Sequence, residues 1–416
     1  MTARSITKAM IEIRKIQTTD GHRIDHFVES DSQVSIEAQD LMLFPALIDP
    51  HVHFRIPGAE HKEDWETGAR AAIAGGVTTV FDMPNNDPPC TSADRLGEKN
   101  QLIKMQIARA RIPLRYRLFF GADAEHLNEL PKVKDQIAGL KIYMGSSTGN
   151  LLMSDRQALE EAFQIAGHHD ILVAVHAEDE HLIQINREKH GEHSDPSVHS
   201  AIRNPSVAAR SVALAIELAK KHKVRLYIVH VSSREEIDLI RDAKKEELPV
   251  YAEAAPHHLF LSEASYAKLG TKALVNPPLR SSKDCEALWE AVHDETIDTI
   301  GTDHAPHTLE EKNRPYGSAP SGFPSIELYF PLLLNAYHEK KLSLEQIVSL
   351  THTRPQEIFD LPINEDIVLV DMNKKKRVED SQLKTKAKWS PYAGWTIQGW
   401  PRYTILGGTL FDLEKF

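Results

Sequence analysis

The chain has 416 residues, of which 41% are hydrophobic and 26% are charged, a composition typical of a folded globular protein. Its net charge of −11 argues against a nucleic-acid-binding protein, because binding to phosphates requires a basic surface. Two cysteines, Cys90 and Cys285, exclude a disulfide framework and predict a reducing, cytoplasmic location. No apolar stretch suggests a signal peptide or a transmembrane helix, so we expect no membrane association.

Short apolar segments alternate with longer helical patterns along most of the chain. The predicted strands span residues 46–54, 78–83, 117–121, 139–144, 171–176, 225–231, 250–255 and 299–303. The predicted helices span residues 62–74, 96–110, 155–166, 206–222, 234–245 and 283–293. Near-continuous apolar strands are typical of parallel sheets buried on both faces. Eight such units in roughly 300 residues predict an α/β fold of the (β/α)8 TIM-barrel type. A doubly wound sheet is the competing architecture, but no Gly-rich phosphate loop follows the first strand.

Both ends of the chain carry short strand patterns outside this alternation. They lie at residues 10–24, 34–40, 366–371 and 403–406. We expect them to pair in a small β-unit, after helices at residues 344–350 and 355–359 have closed the barrel. The predicted organisation assigns residues 1–45 and 361–416 to the β-unit and residues 46–360 to the barrel.

The first predicted strand ends in two histidines separated by one residue, in the segment Asp49-Pro50-His51-Val52-His53-Phe54-Arg55. Because side chains on a strand repeat every second residue, His51 and His53 point to the same side. Two imidazoles held in this way form half of a metal site. A single His-x-His is also common on protein surfaces, where it binds no metal. The residues at the ends of the other predicted strands distinguish between a metal site and two ordinary surface histidines.

Most of the other predicted strands also end in polar residues within apolar surroundings. These residues are Asn85, Lys141, His176, His230, Asp303 and His307. The active site of a barrel lies at the C-terminal ends of its strands, where these side chains would meet. A lysine, four histidines and an aspartate at one mouth are best explained by divalent metal ions. Carboxylated on its amine, Lys141 would become an anionic carbamate able to bridge two ions, whereas an unmodified lysine would extend to the rim.

The motifs that contain these residues resemble those of the amidohydrolase superfamily and, in finer detail, those of the dihydroorotase family. They span residues 49–58, 62–68, 71–79, 83–89, 175–178, 253–259, 275–280, 301–307 and 321–327. They cover the whole predicted barrel. The resemblance implies reversible hydrolysis of the cyclic amide L-dihydroorotate to N-carbamoyl-L-aspartate, a reaction of pyrimidine biosynthesis.

The resemblance also implies a site for two zinc ions. His51, His53 and Asp303 would bind one ion, His176 and His230 would bind the other, and carboxylated Lys141 would bridge them together with a hydroxide. Asp303 would in addition transfer the catalytic proton. The residues implied to bind the substrate are Arg55, Asn85, Asn276 and His307.

Two other functions remain open. A hydantoinase or an allantoinase also opens a cyclic amide, but neither needs to bind an exocyclic carboxylate, so Arg55 and Asn85 favour a dihydroorotase. A non-catalytic homologue would typically have lost metal ligands, whereas every ligand position is filled here. As for assembly, we expect a homodimer and, as in some members of the family, association with aspartate transcarbamoylase.

Two segments depart from the regular pattern. Residues 362–366 shorten a sequence that usually precedes the C-terminal strands of the family, which predicts a reduced terminal β-unit. Residues 145–150 contain two glycines and three hydroxyl side chains. They predict either a mobile loop over the barrel mouth or a tight, ordered turn.

Overall fold

The structure, a computed structural model, describes residues 9–147, 149–191 and 193–416, and two sheets dominate it. One sheet is formed by β5 (Leu47–Val52), β6 (Val77–Asp82), β7 (Arg115–Gly121), β8 (Gly139–Tyr143), β9 (Val173–His176), β10 (Leu226–Val231), β11 (Val250–Ala254) and β12 (Thr299–Ile300). The other is formed by β1 (Ala9–Thr18), β2 (Arg23–Ser30), β3 (Val34–Glu37), β4 (Met42–Pro45), β13 (Ile367–Arg377), β14 (Thr396–Leu406) and β15 (Thr409–Asp412).

Helices separate the strands of the first sheet. The α-helices are α1 (Trp65–Ala74), α2 (Ala93–Ala110), α3 (Leu130–Val133), α4 (Arg156–His168), α5 (Glu180–His190), α6 (Val198–Ile202), α7 (Pro205–His222), α8 (Arg234–Lys245), α9 (Pro256–Phe260), α10 (Tyr266–Leu269), α11 (Ser282–His293), α12 (Leu309–Lys312), α13 (Tyr329–His338), α14 (Leu344–Val348) and α15 (Arg354–Ile358). A π-helix, Ser349–Thr353, joins the last two. Among the described residues, no helix has both the length and the apolar character that crossing a bilayer requires.

The strands of the first sheet pair in parallel and in order from β5 to β12. The ring is closed between its first and last strands by side-chain and backbone hydrogen bonds. Thr302 donates to the buried Asp49 carboxylate from its backbone N, at 2.9 Å, and from Oγ1, at 2.5 Å. The backbone N of His53 donates to the carbonyl oxygen of His304 at 2.8 Å. The predicted (β/α)8 barrel is therefore confirmed.

The last barrel strand is shorter than predicted. It spans Thr299–Ile300, whereas the sequence pattern predicted residues 299–303. Asp303 has a φ of 45°, in the left-handed region, so the extended conformation cannot continue through it. The backbone N of Thr302 bonds the side chain of Asp49 on β5 and not the backbone of that strand. The chain thus leaves the sheet just before the residues that reach the barrel mouth.

The second sheet combines strands from both ends of the chain, as predicted. Its order is β15-β14-β13-β4-β1-β2, with β3 beside β1, so the C-terminal strand β13 pairs with the N-terminal strand β4. The strands β13 and β14 extend well beyond the patterns seen at residues 366–371 and 403–406. Whether the unit is reduced relative to the family stays a prediction. Its core contains Ile13, Ile36, Leu369 and Ile405.

A buried ion pair joins β6 to α2 below the barrel mouth. Lys99 Nζ lies 2.6 Å from Asp82 Oδ2, and the two side chains are 1% and 0% exposed. Nζ also donates to Asn86 Oδ1 at 2.7 Å. The other Asp82 oxygen accepts a hydrogen bond from the backbone N of Phe54, at 2.7 Å. The ion pair therefore fixes the backbone directly after His53.

We predict that Lys99→Met lowers the free energy of unfolding by about 3–5 kcal/mol, because it leaves the Asp82 carboxylate buried without a counter-charge. Urea unfolding followed by circular dichroism would measure the change. Lys104→Met is the matched control, since Lys104 is exposed on the same helix and should leave the stability unchanged. Equal effects of the two substitutions would contradict the prediction.

Candidate metal and substrate site

One cavity at the C-terminal ends of the barrel strands brings together the residues predicted to bind metal. Its lining includes His51, His53, Lys141, His176, His230 and Asp303. These residues come from β5 and the position directly after it, from β8, β9 and β10, and from the segment after β12. Larger clefts exist elsewhere, such as one at the N-terminal end of β7 lined by Arg115, Arg117 and Asp366. The described lining of that cleft contains no histidine, so the mouth cavity is the candidate site.

A first group of ligand atoms consists of His51, His53 and Asp303, whose candidate atoms all lie within 4.8 Å of one another. The Nε2 atoms of His51 and His53 lie 3.3 and 3.1 Å from Asp303 Oδ1. The Nδ1 atoms face Glu253 Oε1, at 2.8 Å, and Asn85 Oδ1, at 2.7 Å. If Nδ1 donates in both rings, both Nε2 atoms are acceptors that face a carboxylate oxygen. Acceptors in this arrangement repel one another unless a cation lies between them.

A second group is formed by His176 and His230. His176 Nδ1 lies 3.0 Å from His230 Nε2, and His176 Nε2 lies 2.9 Å from Glu178 Oε2. Within the described part of the chain, His230 Nδ1 has no hydrogen-bond partner. Burial lowers the pKa of His176 and of His230, and it lowers the pKa of His53 to about 3. These rings are therefore neutral near pH 7, which is the form that binds metal.

Lys141 lines the same cavity as the two groups and is fully buried. Its Nζ atom has no hydrogen-bond partner among the described residues and stands 5.1 Å from the centre of the Tyr143 ring. Burial lowers the pKa of the Lys141 amine to about 7. A large fraction of the amine is then uncharged at neutral pH. The neutral imidazoles, the Asp303 carboxylate and this unpartnered amine fit a site for divalent metal ions.

Three residues of the cavity have strained backbone conformations. Arg55, His230 and Asp303 have φ angles of 65°, 42° and 45°, in the left-handed region that side chains with a Cβ rarely adopt. Such conformations typically cost about 1–3 kcal/mol each and persist where the surrounding structure holds them. Among the described residues, three of the twelve non-glycine residues with a positive φ thus line this cavity. No feature of the sequence indicates them, because none of the three is a glycine.

Three of the four residues predicted to bind the substrate, Arg55, Asn85 and Asn276, line the cavity. Arg55 is buried, its Nε donates to the carbonyl oxygen of Pro306 at 3.1 Å, and its Nη2 lies 3.2 Å from His307 Nε2. His307 does not belong to the described cavity lining but contacts Arg55, which does. Its role in substrate binding stays a prediction.

Two buried carboxylates that orient the histidines were given no role from the sequence. Glu253 contacts His51 and accepts hydrogen bonds from the Tyr227 hydroxyl and from the backbone N of His230. Glu178 contacts His176 and is bound by the guanidinium of Arg203. Although burial opposes its ionisation, Arg203 helps to lower the pKa of Glu178 to about 2. Glu253 could have been recognised from the sequence in the same way as Lys141, because each is a charged residue inside an apolar strand.

Comparison with known proteins agrees with this geometry. Residues 42–364 match the family model described as the amidohydrolase family. The L-hydantoinase (dihydropyrimidinase) of Arthrobacter aurescens superimposes with a TM-score of 0.91 and 25% identity, covering 98% of this chain and 96% of that one. The chain belongs to the amidohydrolase family.

Sequence relatives define the branch of that family. The dihydroorotase of Halobacterium salinarum is 35% identical over 400 residues, covering 94% of this chain and 91% of that protein. The multifunctional protein CAD of Squalus acanthias is 34% identical over 382 residues, which are 91% of this chain and 15% of that much longer protein. Within the amidohydrolases, the chain belongs to the dihydroorotases, as its motifs indicated.

Proposed function

We propose that this chain, a cyclic amide hydrolase of the dihydroorotase family, opens L-dihydroorotate to N-carbamoyl-L-aspartate at a centre for two zinc ions. One observation carries the proposal: the cavity that holds the histidines, Lys141 and Asp303 also holds the buried cation Arg55. A metal-type donor set beside a fixed guanidinium suits a cyclic amide that carries a carboxylate. A direct test is whether the wild-type, zinc-loaded protein converts L-dihydroorotate to N-carbamoyl-L-aspartate.

The residues divide into two ligand groups joined by Lys141. His51, His53 and Asp303 would hold one ion, and His176 and His230 would hold the other. When bound, the zinc ions would lower the pKa of a water molecule and polarise the carbonyl group to be cleaved. Carboxylated Lys141 would help to hold both ions and would supply negative charge to the centre.

Charge supports the carboxylation of Lys141. Two zinc ions bring four positive charges, which four neutral imidazoles do not offset, and an ammonium group beside them would add a fifth in a low-dielectric interior. The neutral amine, favoured by the lowered pKa of Lys141, can instead attack carbon dioxide. A nitrogen–carbon bond forms, one proton leaves to solvent, and the side chain then carries a negative charge.

Arg55 and Asp303 would orient the substrate and move the proton. Arg55 would pair with the exocyclic carboxylate and so place the amide bond over the histidines. Asp303 is expected to stay ionised, because its contacts with His51 and His53 outweigh the effect of burial and hold the pKa of its carboxyl group below the usual value. It can therefore accept a proton from the attacking water as the carbon–oxygen bond forms. It would then give that proton to the ring nitrogen as the carbon–nitrogen bond breaks.

The setting of the reaction is proposed on separate grounds. We place the protein in the cytoplasm, because its two cysteines are unpaired and one of them, Cys90, is buried. We also propose a homodimer that associates with aspartate transcarbamoylase. The match to 15% of a multifunctional protein supports such an association, because there the related segment is part of a longer polypeptide.

We predict that Asp303→Asn folds and still binds at least one zinc ion, but loses about 10²–10⁴-fold in kcat. The amide of asparagine offers an oxygen ligand but cannot accept the proton. Steady-state kinetics and zinc analysis would measure both effects. Retention of more than about a tenth of the wild-type kcat would show that Asp303 does not carry the proton.

For Arg55→Met, we expect a loss of about 2–4 kcal/mol in kcat/KM for dihydroorotate with the zinc content unchanged. The substitution removes the guanidinium but keeps an unbranched side chain. Comparison with a hydantoin that lacks a carboxylate is the control, since Arg55 makes no charge pair with it. An unchanged kcat/KM for dihydroorotate would favour a neutral cyclic amide as the natural substrate.

Lys141→Ala is expected to lose most of its zinc and activity. Added short-chain carboxylic acids should restore part of both, because a carboxylate can occupy the position of the carbamate. Zinc content and kcat would be measured with and without added acetate or propionate. Full activity without rescue would contradict the bridging role, as would electron density ending at the lysine nitrogen in a zinc-loaded crystal.

A further inference from the structure

The hydroxyl group of Tyr143 is buried and, among the described residues, has no hydrogen-bond partner. Its side chain lines the same cavity as Arg55 and Lys141. Tyr143 follows Lys141 by two residues on β8, so both side chains point into the barrel. A buried donor without a partner is unfavourable in a folded protein, and a molecule bound in the cavity can supply the partner that Tyr143 lacks.

The Tyr143 ring lies near two of the residues predicted to bind metal. The Lys141 Nζ atom lies 5.1 Å from the centre of the ring, and the ring of His176 lies 5.9 Å away, centre to centre. The aromatic ring therefore packs against the metal-binding side of the cavity.

Arg55 is held in place independently of any substrate. Its Nε is bonded to the Pro306 carbonyl group and its Nη2 contacts His307, so the guanidinium cannot turn freely towards Tyr143. A carboxylate that pairs with this fixed guanidinium has acceptor positions left over, because it can accept about four hydrogen bonds. The unpartnered hydroxyl shares the cavity with Arg55 and can supply a further donor.

We propose that the Tyr143 hydroxyl donates a hydrogen bond to the substrate carboxylate that Arg55 binds, and that it is a further determinant of specificity. The inference rests on the proposed function, since it concerns the same substrate. A ring without a carboxylate offers no acceptor at this position and leaves the hydroxyl unpaired. Sites of this kind discriminate strongly against the analogue that lacks the polar group.

The test is Tyr143→Phe, which removes only the oxygen atom. We expect the KM for dihydroorotate to rise about 10- to 100-fold, the range for loss of a hydrogen bond to a charged group, with kcat changed less than about threefold. The inhibition constant of orotate, a planar ring with the same carboxylate, should rise by a similar factor. Zinc content should stay at the wild-type value, because the hydroxyl is assigned to the substrate and not to the metal ligands.

Tyr392→Phe is the matched control, because Tyr392 is also buried with an unpartnered hydroxyl but does not line the cavity. It should leave KM, kcat and the orotate constant unchanged. An unchanged KM for Tyr143→Phe would overturn the proposal, and so would a loss confined to kcat, which would place the hydroxyl at the reacting carbonyl. Loss of zinc would indicate a structural role beside Lys141 and would also overturn it. Absence of turnover in the wild-type protein would instead reject the proposed function.

Discussion

The hydrogen bonds between Asp49 and Thr302 close the barrel, and the arrangement of the site depends on them. The two residues are 253 positions apart, and both are fully buried. They align the first strand, which carries His51 and His53, with the segment that carries Asp303. Without this closure the first ligand group would be divided between two open edges of a sheet. The barrel is therefore a requirement of the site and not only its support.

A second layer of polar groups then sets the direction of each imidazole. Glu253, Asn85 and Glu178 each engage one nitrogen of a histidine, so the other nitrogen faces the cavity. Arg203 extends this layer, because its guanidinium binds Glu178 and also the carbonyl oxygen and hydroxyl of Ser146. Through Arg203, the orientation of His176 is connected to the start of the segment 145–150. Thr148 of that segment lies outside the described residues, and the expectation of a mobile loop there stays a prediction.

The parts of the site that the sequence predicts well are those governed by local periodicity. Two-residue spacing on a strand places His51 and His53 on one side, and a barrel gathers all C-terminal strand ends, so convergence with Lys141, His176 and His230 follows. The contact of His307 with Arg55 does not follow, because it depends on the path of a loop after the last strand. Nor does the left-handed backbone of Asp303, which lies beyond the short strand β12. The lengths of β13 and β14 depend on their pairing with each other. The local sequence pattern of either strand does not predict this pairing.

The pairing of β4 with β13 has a consequence for how the chain is made. A ribosome releases β1 to β4 first, but their partner β13 follows only after the entire barrel has been synthesised. The buried Glu63 also has a partner that is synthesised late. Its carboxylate accepts a hydrogen bond from Thr385, 322 residues further along the chain. Contacts so distant in sequence form slowly, because a long loop must close before they contribute. A nascent or truncated chain thus carries an unpaired strand edge and an uncovered apolar face. Chaperones and proteases recognise surfaces of that kind. We therefore expect the chain to escape this recognition only once β13 has been synthesised and has paired with β4.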